Sequence, residues 1–263
     1  MQDDVWAGEV SKPPDAIRLK ILKLQSALSS AEPLEARIRM ISDAVGPGIA
    51  FSTSLSNEDQ AILHAIATTG ARVDVFTLDT GRHFPETLDV IEANQRRYSV
   101  PIRVVAPESA ETEPLVARDG INGFRHSVDA RKACCDVRKV RPLRRALTGA
   151  SGWITGLRRG QSSERGGMPF AEYDAAFDLI KINPIADWTH ERLEAYVGVH
   201  KIPVNALHAR AFPSIGCQPC TRAVTPGEDI RAGRWWWEQA DGKECGLHRP
   251  PPATGIPVQG QSS

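Results

Sequence analysis

Five cysteines stand in three settings along this chain. Cys134 and Cys135 are adjacent, Cys217 and Cys220 bracket Gln218-Pro219, and Cys245 lies alone within Lys243-Glu244-Cys245-Gly246-Leu247-His248. Four thiolates in two clusters can hold a zinc ion or an iron–sulfur cluster. Zinc sites usually draw each pair from a Cys-x-x-Cys knuckle, whose turn aims both sulfurs at one metal, and only the second pair has that form. For the adjacent pair to serve one centre, the local geometry must be unusual. The alternative is that Cys134 is a ligand and Cys135 is buried as a small hydrophobe. Cys245 has a lysine two residues before it and a histidine three after. Nearby positive charge lowers a thiol's pKa and raises its thiolate fraction, so this setting suits a nucleophile. An incidental terminal cysteine is the plainer alternative.

Cationic side chains recur near these sulfurs. Arg131, Lys132, Arg138, Lys139 and Arg141 flank the adjacent pair, and on a helix Lys139 shares a face with Cys135. Pro142 should kink or restart that helix. Arg158, Arg159 and Arg165 fall in a glycine-containing loop after an apolar stretch, where guanidinium groups suit sulfate or phosphate. Arg231 and Arg234 are three apart, just before Trp235-Trp236-Trp237. Each of these groups also reads as an ordinary solvated basic face, and the tryptophans as packing.

The elements that must position these residues follow from periodicity. Ile17, Ile21, Leu24 and Leu28 have helical spacing, and a second helix is expected over Leu34–Val45, broken by Gly46-Pro47-Gly48. Ile49-Ala50-Phe51 reads as a buried strand that runs into Ser52-Thr53-Ser54 and then a helix from Gln60 to Thr69. A strand, a hydroxyl-rich loop and a helix N-terminus form a natural anion cradle, although a capped turn has the same look. Val73–Leu78 is a second strand closed by Asp79-Thr80-Gly81, a turn of the kind that meets ligands in open α/β sheets. A helix then runs to about Tyr98, with strands at 102–105, 153–157 and 179–182 and a helix capped near Thr189. Residues 107–130 carry no periodic signal and read as irregular. Strands alternating with helices predict an α/β fold with a mostly parallel sheet and helices on both faces.

Composition sets the class. The chain has 263 residues, 41% hydrophobic and 24% charged, with no formal net charge, which gives no support for bulk nucleic-acid binding. It has no apolar run of membrane-spanning length and no signal-peptide core, so a cytoplasmic enzyme with reduced thiols is the expectation. Residues 249–263 include Pro250-Pro251-Pro252 and read as a disordered tail.

Taken together, Cys134-Cys135, Cys217-Gln218-Pro219-Cys220, the Ile230–Glu238 stretch and Lys243–His248 resemble the assimilatory adenylyl-sulfate reductases of bacteria, within the phosphoadenylyl-sulfate reductase group. Leu78–Gly81 and Gly156–Ser162 match the same family. The likeness runs over roughly residues 35–248. It implies a Rossmann-like fold of the adenine nucleotide alpha hydrolase type with a mobile C-terminal segment. It implies a [4Fe–4S] cluster on Cys134, Cys135, Cys217 and Cys220, adenylyl sulfate as substrate and thioredoxin as reductant. Cys245 would carry the sulfur chemistry. Lys139, Arg165, Arg231, Arg234 and His248 would surround sulfate and phosphate, and Ser52, Thr53, Ser54, Leu78 and Arg158 would hold the nucleotide. One departure is Ser56, where the family often has glycine.

The division expected is an N-terminal arm and helix over 1–33, a nucleotide- and cluster-binding domain over 34–230, a C-terminal segment over 231–248, and the tail. A homo-oligomer is compatible with this. Three rivals are weighed: a 3′-phosphoadenylyl-sulfate reductase, whose members commonly lack the four-cysteine set; an ATP-pyrophosphatase-type enzyme, whose Ser-Gly-Gly-x-Asp-Ser loop is not found at 52–59; and a zinc-stabilised module without catalysis.

Overall fold

The computed structural model describes residues 13–161 and 165–238. The amphipathic stripe builds α1 (Asp15–Ser30), which buries Leu24 and Leu28. Helix α2 (Leu34–Val45) buries Leu34, Ile38, Ile41 and Val45 and ends at Gly46, whose φ of 82° a side chain would resist. Strand β1 (Ile49–Thr53) leads to α3 (Asn57–Thr69), and β2 (Asp74–Leu78) to α4 (Pro85–Tyr98). After β3 (Arg103–Val105) come α5 (Ser109–Asp119) and α6 (Val128–Cys135). A π-turn over Asp136–Val140 joins α6 to α7 (Arg141–Leu147), and Pro142 falls in the first turn of α7, where its missing N–H costs nothing. Strands β4 (Gly152–Ile154), β5 (Ala171–Asp174) and β6 (Leu179–Ile182) precede α8 (His190–Val199), capped by the Thr189 side chain.

The six strands lie in the order β3-β2-β1-β4-β6-β5. All neighbours are parallel except β5 against β6. The expected α/β architecture is therefore present. One face carries Phe51, Val75, Ile154 and Ile182 under α1, α2, α3 and α8; the other carries Ala50, Phe76, Val105 and Trp153 under α7. Strand order reverses between β1 and β4, and the crevice beyond the carboxyl ends of such strands is where open α/β sheets take ligands.

Two readings need correction. Residues 107–130 are not irregular, because α5 and the start of α6 lie there. Helix α5 buries only Leu115 and contains Pro114, so it has no apolar stripe to read. Strand β5 was not expected at all: it is an edge strand with one buried residue, Ala171, and the backbone N–H groups of Ala171 and of Phe170 just before it donate to the Gln25 side chain of α1. Among the described residues, no helix is long and apolar enough to cross a membrane.

Candidate active site

The loop after β1 is held from below by one carboxylate. Asp59, in the first turn of α3, accepts hydrogen bonds from both the backbone N–H and the hydroxyl of Ser54, each at 2.6 Å. Burial, which outweighs these hydrogen bonds, pushes Asp59 up to about 7. The Thr53 hydroxyl accepts from the Leu55 N–H at 3.0 Å, and the Ser52 hydroxyl accepts from the Trp153 indole at 2.7 Å. The left-handed residue of this loop is Leu55, at φ 64°, whereas Ser56 sits in ordinary extended backbone at φ −74°. Ser56 is thus under no backbone strain that a glycine would relieve.

The neighbouring strand end supplies the second wall. β2 ends at Leu78, whose carbonyl lies 2.8 Å from the His83 ring, and the Asp79 side chain accepts from the Gly81 N–H at 2.8 Å. Arg158 is buried, and its guanidinium donates to Glu58 at 2.7 and 3.1 Å and to the Trp188 carbonyl. That pairing opposes the burial that would otherwise raise Glu58, and the net shift is downward. Arg165 donates to Gln161.

The Asp79-Thr80-Gly81 turn also reaches the sulfurs. The Thr80 hydroxyl lies 3.3 Å from Cys217 Sγ, the Thr80 carbonyl accepts from Arg138 at 2.9 Å, and the Arg82 carbonyl accepts from the Gln218 N–H at 2.8 Å. Cys217–Cys220 forms a tight knuckle: the Cys220 N–H and the Thr221 hydroxyl both donate to the Cys217 carbonyl. Cys134 and Cys135 close α6, where the backbone widens into the π-turn. Such turns recur at functional sites. All four thiols, none of them in a disulfide, line one cavity with Arg82, Arg131, Arg138 and Lys139. Cys135 is therefore not sequestered away from the other three.

This donor set fits a thiolate-bound centre. Four sulfurs line one cavity, and among the described residues no imidazole or carboxylate lines it with them. An all-sulfur set selects zinc or iron–sulfur. Burial raises the Cys134 thiol and pushes Cys220 up to about 12, with Lys139 and Arg234 pulling the latter back. The ring of guanidinium and ammonium groups suits a centre of net negative charge.

The chain after the knuckle folds back over it. Thr221 and Arg234 form an antiparallel bridge, and the Arg222 N–H donates to the Gly233 carbonyl. A Cβ on Gly233 would sit 2.3 Å from the Arg222 carbonyl oxygen, so this close approach requires glycine. Arg234 is buried against Gly216, and Arg231 lies partly exposed at the start of the return. Trp235 is buried with the guanidiniums of Arg131 and Arg234 over its ring, 4.5 and 4.7 Å from its centre. Arg131 donates to Glu238 at 2.5 Å, a pair almost wholly out of solvent. The sequence drew attention to Lys139, Arg231 and Arg234, to Arg131 as one of a basic run and to Thr80 as part of a turn; it did not single out Arg82 or Glu238, whose roles depend on contacts far along the chain. Cys245 and His248 lie outside the described residues.

The profile of the phosphoadenosine phosphosulfate reductase domain matches residues 48–223, about two thirds of the chain. The chain belongs to that family. A relative from Agrobacterium fabrum, named adenosine 5′-phosphosulfate reductase, is 52% identical over 229 residues, covering 85% of this chain and 88% of its own. One of the same name from Allochromatium vinosum is 51% identical, covering 76% and 78%. The crystal structure of a phosphoadenylyl-sulfate reductase from Candida auris, a phosphate complex, superposes with a TM-score of 0.66 at 25% identity, covering 81% of this chain and 98% of its own.

Proposed function

We propose that the chain is an oxidoreductase that reduces adenylyl sulfate to sulfite and AMP in sulfate assimilation, with thioredoxin as reductant. The observation that carries this reading is the likeness of about 50% identity, over most of the chain, to relatives named adenosine 5′-phosphosulfate reductase. The four gathered thiols support it further. The Cys245 thiolate attacks the sulfur of adenylyl sulfate; the S–O bond to the phosphate breaks, AMP leaves with the electron pair, and Cys245 becomes S-sulfocysteine. A thioredoxin thiolate then attacks the Cys245 sulfur. Sulfite departs, a mixed disulfide forms, and the second thioredoxin thiol resolves it, leaving thioredoxin oxidised and Cys245 restored.

Lys139, Arg165, Arg231, Arg234 and His248 neutralise the sulfate and the departing phosphate. Ser52, Thr53, Ser54, Leu78 and Arg158 form the nucleotide's cradle. A [4Fe–4S] cluster on Cys134, Cys135, Cys217 and Cys220, when bound, supplies fixed charge and position beside Lys139. The family profile and the Candida auris structure carry the name of the 3′-phosphorylated substrate, so turnover of the two nucleotides should be compared side by side. The primary test is mass spectrometry after mixing the iron-loaded protein with adenylyl sulfate and no thioredoxin. A sulfonate adduct on the Cys245 peptide is expected, absent in Cys245→Ser at unchanged iron content. Normal sulfite release by that variant would overturn the mechanism.

A further inference from the structure

A second cluster of metal-ligating side chains lies on the sheet face covered by α2, α3 and α8, the face opposite α7. Glu35 comes from the first turn of α2, His64 from α3 and His200 from the C-terminal end of α8. One ligating atom of each lies within 4.8 Å of the others. The His64 and His200 ring centres are 4.6 Å apart. Sulfur reduction as described above uses none of the three.

Two tyrosines hold this group in place. The Tyr98 hydroxyl lies 3.2 Å from His64 Nδ1, which leaves Nε2 as the nitrogen able to bind a cation. The Tyr196 hydroxyl donates to Glu35 Oε1 at 2.6 Å, and its ring packs on both imidazoles, with centres 4.4 Å from His200 and 5.8 Å from His64. Outer hydrogen bonds of this kind fix the tautomer and orientation of metal-binding histidines and carboxylates. His64 is nearly buried between these side chains. Arg97 of α4 is the opposing charge nearby. It donates to the His200 carbonyl at 2.7 Å and lies over the Tyr98 ring. The Glu35 carboxylate counters it.

We propose that Glu35, His64 and His200 bind one divalent cation of the zinc class. Two imidazoles and a carboxylate, with a fourth position left to water, form a donor set that zinc takes readily and that calcium and magnesium do not. Tetrahedral ligands about 2 Å from zinc stand roughly 3.3 Å apart, so each pair has to close by about 1.5 Å at most, a side-chain adjustment. The bound ion ties α2, α3 and α8 together. Because α3 also carries Glu58 and Asp59 in its first turn, the cation braces the helix on which the Ser52–Ser54 loop rests.

The test uses full-length protein with its cysteine centre loaded with iron, titrated with zinc and, separately, with cobalt(II). One equivalent of zinc should bind and raise the melting temperature. Cobalt should give visible d–d bands without the near-ultraviolet charge transfer of a thiolate ligand. His200→Gln, at a half-exposed position, and Glu35→Gln should each weaken zinc binding more than about a hundredfold, beyond the ten- to hundredfold expected for Tyr98→Phe. Iron content and turnover of adenylyl sulfate should stay within twofold of the parent protein. The proposal is overturned if less than about a tenth of an equivalent binds at saturating zinc, if cobalt shows thiolate charge transfer, or if both variants bind zinc like the parent.

Discussion

Asp59 shows how a single buried carboxylate can tune a loop. It is 5% exposed, receives two hydrogen bonds from Ser54 and is nevertheless raised to about 7. A carboxyl whose folded pKa lies above its unfolded value favours the fold while protonated. That advantage is complete below the unfolded pKa near 4 and is lost as pH rises through 7. Asp59→Asn, which keeps an acceptor for Ser54 and carries no charge, should therefore gain on the parent protein by roughly 2–3 kcal/mol between about pH 5 and pH 8. Urea denaturation of both proteins at the two pH values measures this, and a constant difference would show that the Ser54 hydrogen bonds have offset the burial. The hydroxyls at 52–54 were legible in the sequence because a strand, a polar loop and a helix follow one another there. Their anchoring by Asp59 was not, since nothing in the local pattern distinguishes it from an ordinary first-turn acid.

Elements explain the adjacent cysteines. In a regular helix, neighbours diverge by about 100°, which is why the sequence alone left Cys135 undecided. The π-turn over Asp136–Val140 changes the helical repeat immediately after the pair, and both thiols line the same cavity. The returning segment 231–238 is a comparable case. Its tryptophans were legible as packing, but the guanidiniums over the Trp235 ring come from positions 131 and 234, and only the fold brings the first of them there. Glu238 closes this arrangement through Arg131, at 7% and 1% exposure. Glu238→Gln removes the balancing charge and should cost up to about 3 kcal/mol, concentrated in that segment. Hydrogen exchange should accelerate at the Arg222 and Trp235 amides while β1 and β4 stay protected. Equal acceleration throughout would mean that the pair stabilises the whole fold and not this strap.

At the scale of the molecule, the boundary expected between residues 33 and 34 falls between two helices of one core. Leu24 and Leu28 of α1 pack with Leu34, Phe51 and Ile182, and Gln25 ties α1 to β5. The sequence displayed the helix but not its depth, because four apolar positions fit a surface stripe as well as an embedded one. Leu28→Ala, at a wholly buried position, should cost about 2–5 kcal/mol and lower the single melting transition of the entire domain by several degrees. An unmoved main transition with a separate early loss of helix would make α1 an independent appendage. The spread of the sulfurs has a temporal consequence. Cys134 and Cys135 leave the ribosome more than eighty residues before Cys217 and Cys220, and Thr80 must already be in its turn to meet Cys217. A chain halted before residue 217 owns half a claw, so the four thiols can line one cavity only after all six strands have been made.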